Sequence, residues 1–318
     1  MTMPCGHASI AALMNILARC LYLGATASSL ALAETPAIKH SFLATGGETR
    51  IVDDEGKTVW KYPGSTRDGC VLPNGNVLLA VSKNKTDYPG GAVVEITRDM
   101  KKVFEYKGTQ SEVNTAQLLP NGNFMLTEAG EKPRILEVNR EGRIMVEVPL
   151  QAQITNTHMQ SRMSRKLDNG HYLVPQLNDR VVREYAADGK IAWEYKTPAE
   201  MKDALPFTVV RLPNGNTLAT LTHNDSVVEV DRAGRMVWQF SNADLTEKLI
   251  ADACGAQRLP NGNTVICSYH IGANHTKLIE VTPDKKVVWT FIEEKGPGIH
   301  EVQILDTNGE PVAGVPLR

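Results

Sequence analysis

Leu212-Pro213-Asn214-Gly215-Asn216 is the stretch that decides the fold. The same five residues recur as Leu72–Asn76, Leu119–Asn123 and Leu259–Asn263. Variant copies read Leu167-Asp168-Asn169-Gly170-His171 and, with one residue inserted, Leu305-Asp306-Thr307-Asn308-Gly309. The Asn-Gly pairs begin at 74, 121, 169, 214, 261 and 308, so the spacings are 47, 48, 45, 47 and 47 residues. Asn-Gly tolerates positive φ in a tight hairpin, so each copy marks a turn between two strands. Six beats of this length indicate six copies of one supersecondary unit.

A second string keeps the same beat. It runs aliphatic–aliphatic–Glu–Val, then an Asp/Gly turn, then Val-Trp-x-aromatic, as in Val228-Glu229-Val230 leading to Val237-Trp238-Gln239-Phe240. Its aromatic slot holds Trp60, Phe104, Val146, Trp193, Trp238 and Trp289, which takes in all four tryptophans of the chain. Short Val-, Ile- and Leu-rich strands flank both turns. Four strands per unit of this length make a β-propeller blade. The sequence therefore predicts an all-β, six-bladed propeller with the tryptophans wedged between blades. The chain enters with His40–Ala44, Thr49–Asp53 and Lys57–Tyr62 as the second to fourth strands of a blade. It supplies that blade's first strand, Glu301–Leu305, near its end. A shared blade closes the ring and removes free sheet edges. Glu310–Arg318 is left either as an added edge strand or as a loose tail.

Composition agrees with a packed globular chain: 318 residues, 42% hydrophobic and 22% charged. The formal net charge of −2 lacks the basic excess of a nucleic-acid binder. Residues Cys20–Ala33 form an apolar run after Arg19 and end in Ala31-Leu32-Ala33, the layout of a secretory signal peptide. The run is too short for a stable membrane span. The expected organisation is a signal peptide over 1–33, cleaved after Ala33, and one propeller domain over 34–318. A start at Met14 gives a tidier leader. The expected location is secreted or periplasmic. Cys70, Cys254 and Cys267 then remain, which permits at most one internal disulfide. Cys254 and Cys267 flank one hairpin and could lie diagonally on one sheet face; ordinary buried thiols are the preferred expectation, because such diagonals fit disulfide geometry poorly.

The Asp-x-x-Gly-Lys-x-x-Trp pattern at Asp53–Trp60, with weaker copies at Gly189–Trp193 and Gly234–Trp238, resembles the repeat of the PQQ-like, quinoprotein-type propeller superfamily. The LPNGN turn after a polar first strand is closest to its six-bladed arylsulfotransferase-like branch. That resemblance spans residues 40–310 and implies an active-site histidine two residues before an asparagine at the start of a first strand. The matching stretch here is Glu112-Val113-Asn114, with Glu in the histidine's place.

Strand naming follows the blade, A innermost to D outermost. D–A and B–C connections share one face, and A–B and C–D hairpins the other. Strand A starts supply Arg67, Asp68, Glu112, Asn114, Arg162 and Asp252, with His158 just before one start and His300 at another. B–C connections on the same face supply His223, His270 and His275. Five of the seven histidines after residue 33 thus gather on one face, whereas His171 belongs to the other. A ring of Arg, His and Asn suits a small anionic or polyhydroxyl ligand, because guanidinium presents a planar fork to oxyanions. His300 and His158 are the candidate catalytic groups, the other nine residues candidate ligand contacts. His270 and His275 lie five residues apart, too sparse a set for a structural metal site. No Ser-His-Asp order, phosphate loop or HExxH string is present, and nothing specifies a cofactor. Three functions stay open. One is a module binding a small ligand or a protein partner. The second is an arylsulfotransferase-like enzyme using a channel histidine with Arg67, Arg162 and Asn114 around the anion. The third is a metal- or quinone-dependent oxidoreductase.

Overall fold

The computed structural model describes residues 37–153, 155–270 and 275–318. The proposed leader, residues 1–33, lies outside the described residues. Six antiparallel sheets follow one another around a ring. Blade 1 is built from Ile299–Thr307, His40–Gly46, Thr49–Val52 and Thr58–Tyr62 as strands A to D, so the two ends of the fold share a sheet as expected. Blades 2, 5 and 6 run Thr66–Lys107, Leu205–Ser241 and Ala253–Ile292. Blade 3 runs Glu112–Pro149, its strand A broken into Glu112–Val113 and Gln117–Leu118. Blade 4 runs Arg165–Lys196, with only Arg165–Lys166 as strand A. Among the described residues, no helix is long and apolar enough to cross a membrane.

The turns differ in detail from the expected tight pairs. In LPNGN only the glycine adopts a left-handed backbone (Gly75 φ 85°, Gly215 φ 86°). The first asparagine instead turns its side chain inward to accept a backbone N–H, Asn76 N to Asn74 Oδ1 at 3.0 Å. Both Asn308 (φ 53°) and Gly309 (φ 82°) are left-handed, so the divergent sixth copy is the one in which the pair as a whole adopts positive φ.

The aromatic slot lies where blades meet. Trp60, Trp193 and Trp238 donate Nε1–H to the carbonyls of Arg98, Arg232 and Pro283 on the C–D turn of the following blade, at 2.9 to 3.0 Å. Trp289 packs edge-on against His40 and Phe42 of blade 1.

Opposite each slot, on strand C, the recurring Glu is buried and clasps the next blade. Glu95 pairs with Arg140, Glu137 with Lys166, Glu184 with Arg211 and Arg232, Glu229 with Arg258, and Glu280 with His40. Its own A–B turn often adds a hydrogen bond, as from Asn216 to Glu229 at 2.7 Å. Blade 1 has Ile51 at this position, packed with Val71 and Leu305.

Glu310–Pro311 forms a short hairpin strand on blade 1, and the chain then turns into the channel. Leu317 bridges Arg258 of blade 6, and the Arg318 guanidinium ends on Asp68, 3.0 Å away. This segment is therefore neither a simple edge strand nor a loose tail, because a buried carboxylate captures its last side chain. The three described cysteines are unbonded. Cys254 packs with Met163 and Phe207, whereas Cys267 packs with Phe42 and Val302. The two thiols thus belong to different packing clusters and are not bonded to each other, the outcome that the sequence favoured.

Candidate functional site at the channel mouth

Strand A starts of successive blades converge on Glu112. Its carboxylate is 2% exposed yet surrounded by cations. Lys83 Nζ is 2.9 Å away, His158 Nδ1 3.1 Å from both oxygens, Arg67 3.7 Å and Arg162 4.0 Å. Burial pushes the Glu112 carboxyl up, but hydrogen bonds from His158 and Lys83 and the charge of Arg67 outweigh it, and it settles at about 2. Glu112 is therefore ionised throughout neutral pH.

His300 sits beside this cluster on strand A of blade 1. Its ring stacks on Tyr269 at 4.3 Å and lies 5.8 Å from Phe207. Phe207 also carries the Arg162 guanidinium over its face at 5.6 Å. Burial, reinforced by Arg67 and Arg162, lowers the His300 imidazole to about 3. The ring is thus neutral, and its Nδ1 is buried without a hydrogen-bond partner. Glycines make this packing possible. A Cβ on Gly298 would lie 1.5 Å from the Tyr269 carbonyl oxygen, and one on Gly255 would lie 2.7 Å from that of His300.

Arg162 is wholly buried, and burial together with Arg67 lowers it to about 10. Its Nε, the Ser161 hydroxyl and both amide atoms of Asn114 have no hydrogen-bond partner. Buried polar groups are normally satisfied, and one left unmade costs about 1–3 kcal/mol. Here several sit on neighbouring strand A starts.

A second corner of the same face is built by Asp252. One of its oxygens accepts the His223 backbone N–H at 2.9 Å, and the other contacts His270. His270 in turn meets Tyr269 edge-on. His223, Asp252 and His275 all have left-handed backbones, φ 58° to 61°. His275 immediately precedes strand C of blade 6, Thr276–Val281, and no side-chain contact joins it to the Glu112 cluster among the described residues; residues 271–274 lie outside the described residues. Among the described residues, no group of three or more His, Cys, Asp or Glu could hold a metal ion.

The structure thus brings together Arg67, Glu112, His158, Arg162 and His300, with Asp252, His270 and His223 linked through Tyr269. Asn114 follows Glu112 by two residues and is wholly buried. Asp68 does not join the mouth. It is fully buried between Arg165 (2.9 Å) and Arg318 (3.0 Å), two cations from other parts of the ring that capture its carboxylate. Lys83, Phe207 and Tyr269 were not anticipated. Tyr269 directly precedes His270, and Lys83 follows a strand B end, so both stand in the B–C connections from which His223 and His270 were drawn.

No protein-family model matches the chain, and no curated protein sequence matches it. Solved structures do. A protein of unknown function from Bacteroides caccae superposes with TM-score 0.72 at 24% identity, over 83% of this chain and 98% of that one. A streptogramin B lyase superposes with TM-score 0.56 at 12% identity, over 83% and 86%. A catalytically inactive virginiamycin B lyase from Staphylococcus aureus, solved with quinupristin, gives TM-score 0.57 at 12% identity, over 83% and 89%. The shared feature is the six-bladed β-propeller. These likenesses carry architecture and not chemistry, and the PQQ-like naming finds no matching family model.

Proposed function

We propose that this propeller is a secreted or periplasmic binding module that takes a small anion at the mouth of its channel. The observation that carries this reading is the charge balance around Glu112: one carboxylate faces Lys83, Arg67 and Arg162. A positive excess in a poorly solvated place favours an incoming oxyanion, and guanidinium donors fit one bidentately. Asn114, Ser161 and the Arg162 Nε offer further unmade hydrogen bonds. His158, His223, Asp252, His270 and His275 line the rim and suit hydroxyl groups on the ligand. Calorimetric titration with p-nitrophenyl sulfate, citrate and galacturonate tests it. Saturable binding of one of them, weakened at least about tenfold by Arg67→Ala, is expected; no heat from any of the three overturns the choice of ligand class. Sequencing the N-terminus of the exported protein tests the leader, with Glu34 expected first.

A second reading is supported by the neutral imidazole of His300. An unprotonated ring flanked by two guanidinium groups offers a free nitrogen lone pair beside an anion clamp. In this arylsulfotransferase-like reading His300 attacks, His158 donates the proton to the leaving phenol, and Arg67, Arg162 and Asn114 hold the sulfuryl oxygens. Turnover of p-nitrophenyl sulfate by the wild type, with loss in His300→Ala and in His158→Ala, is its signature. Unchanged rates in both variants remove it.

A further inference from the structure

The opposite end of the channel holds a cavity of about 700 Å³, a volume typical of small-molecule sites. Its walls come from the recurring turn motif itself: Leu72, Leu119 and Leu167 of blades 2, 3 and 4. The inserted segment closes it with Val315 and Pro316. Charged groups at the floor are taken up by one another. Arg165 donates Nε to the Arg318 main-chain oxygen at 2.7 Å, Nη1 to Asp68 and the Ser164 carbonyl, and Nη2 to Asp68 at 3.3 Å, with Glu301 4.0 Å away. Arg318 holds the other oxygen of Asp68 at 3.0 Å. Two guanidinium groups thus face two carboxylates, and no cation is left open to a ligand. Near the rim Lys166 is paired with Glu137.

Glutamines supply the free polar groups. Gln117, Gln257 and Gln303 each stand two residues before the leucine of a turn motif. Each Oε1 accepts a backbone N–H from strand A of the following blade: Lys166 at 2.9 Å, Ile304 at 2.7 Å and Val71 at 2.8 Å. Only the amide oxygen can accept, so this bond fixes which way the side chain faces. Gln117 and Gln303 line the cavity. Among the described residues the Gln117 Nε2 donates no hydrogen bond. The Gln303 Nε2 has only a 3.5 Å approach to the Val71 carbonyl, which leaves its second hydrogen free.

We propose that this cavity is a second ligand site, which takes an uncharged small molecule with an apolar body and one carbonyl oxygen, an ester or a ketone, held by the Gln117 amide. Leucine walls match the body, and an uncharged donor matches the carbonyl. A carboxylate would meet Asp68 and Glu301 with no free cation to receive it, and a polyol would leave its hydroxyl groups unmade against the leucines. The site shares no lining residue with the mouth, so the two readings stand or fall separately.

The test uses the full chain and N-phenyl-1-naphthylamine, an uncharged fluorescent probe, displaced at pH 8 by methyl nonanoate or by decanoate, a carboxylate of the same carbon count. Saturable one-site binding is expected, with methyl nonanoate displacing the probe at least about tenfold better than decanoate. Gln117→Glu keeps an acceptor for the Lys166 N–H and removes the free donor, so it should weaken methyl nonanoate about tenfold. Val315→Asp should weaken it about threefold, while Arg67→Ala at the mouth leaves it unchanged. Val315 is 85% exposed, so its variant stays interpretable if Gln117→Glu fails to fold. Absence of saturable probe binding overturns the site, as does wild-type affinity in Val315→Asp. Displacement by decanoate equal to that by methyl nonanoate overturns the uncharged class. Wild-type affinity in a folded Gln117→Glu overturns the carbonyl assignment. Loss in Arg67→Ala moves the binding to the mouth and also overturns the proposal.

Discussion

His158 Nδ1 stands 3.1 Å from both carboxylate oxygens of Glu112, across the junction of blades 3 and 4. This pair joins an exposed imidazole to a buried anion, so the anion's charge reaches the channel mouth only through its cationic neighbours. Removing that charge leaves Lys83, Arg67 and Arg162 facing one another. Glu112→Gln should therefore lower stability by about 3 kcal/mol, the range for breaking a buried pair on one side. Chemical denaturation at pH 7 measures it, and a wild-type midpoint would refute it.

The same carboxylate sets an acid limit. Its folded value of about 2 lies below its ordinary 4.5, against burial and because of His158 and Lys83. A depressed carboxylate contributes stability above its unfolded value, and that contribution fades as pH falls from about 5 towards 2. Denaturation profiles over this window should slope less steeply in Glu112→Gln than in wild type. Parallel profiles would count against the assignment.

His300 should titrate abnormally. Burial and the adjacent Arg67 and Arg162 hold it at about 3, below its ordinary 6.5. Ring nitrogen shifts of His300 in NMR spectra should stay those of a neutral imidazole at pH 5. A midpoint near 6.5 would contradict the packing between Tyr269 and Phe207. Because the unfolded chain binds the proton more readily, the stability linked to this ring is lost on acidification below about 6.5.

Two glycines should respond differently to the same change. Gly298 has no room: an added Cβ meets the Tyr269 carbonyl at 1.5 Å, so backbone must move. Gly298→Ala should cost about 3 kcal/mol or more and disturb the His300 stack. Gly215 has open space around it and only its φ of +86° to resist substitution. Gly215→Ala should cost about 1 kcal/mol, and Gly215→Val somewhat more because a β-branched residue resists positive φ. Equal losses at the two sites would refute the steric account.

The wedge tryptophans carry a polar contact as well as bulk. Trp238 Nε1 donates to the Pro283 carbonyl at 2.9 Å on the next blade. Trp238→Phe keeps a ring in the slot and removes the donor, for a loss of about 1 kcal/mol. A thermal midpoint identical to wild type would show that water replaces the bond freely.

What could be read from the chain and what could not follows from range. The Asn-Gly beat and the tryptophan slot are local, repeated and tied to turn chemistry, so blade number and strand order were legible. Convergence of Arg67, Glu112, His158, Arg162 and His300 followed from ring geometry, since every strand A starts at one rim. The inward capture of Asp68 was not legible, because its partner Arg318 lies 250 residues away and nothing local marks the pair. The strand C glutamates were visible as a recurring letter. Their partners sit on the following blade, so their role as clasps needed the register between sheets. Lys83 and Tyr269 carry no pattern at all; only their position after a strand B end connects them to the mouth.

The shared blade has a temporal consequence. His40 must wait for Thr307, 267 positions later, before its sheet is complete. Until then the nascent crescent exposes the strand that Ile299–Thr307 will cover, an unsatisfied edge of the kind that recruits foreign strands. The ring can close only once nearly its whole length has been made, and a chain held unfolded until then keeps that edge from meeting its neighbours half-made.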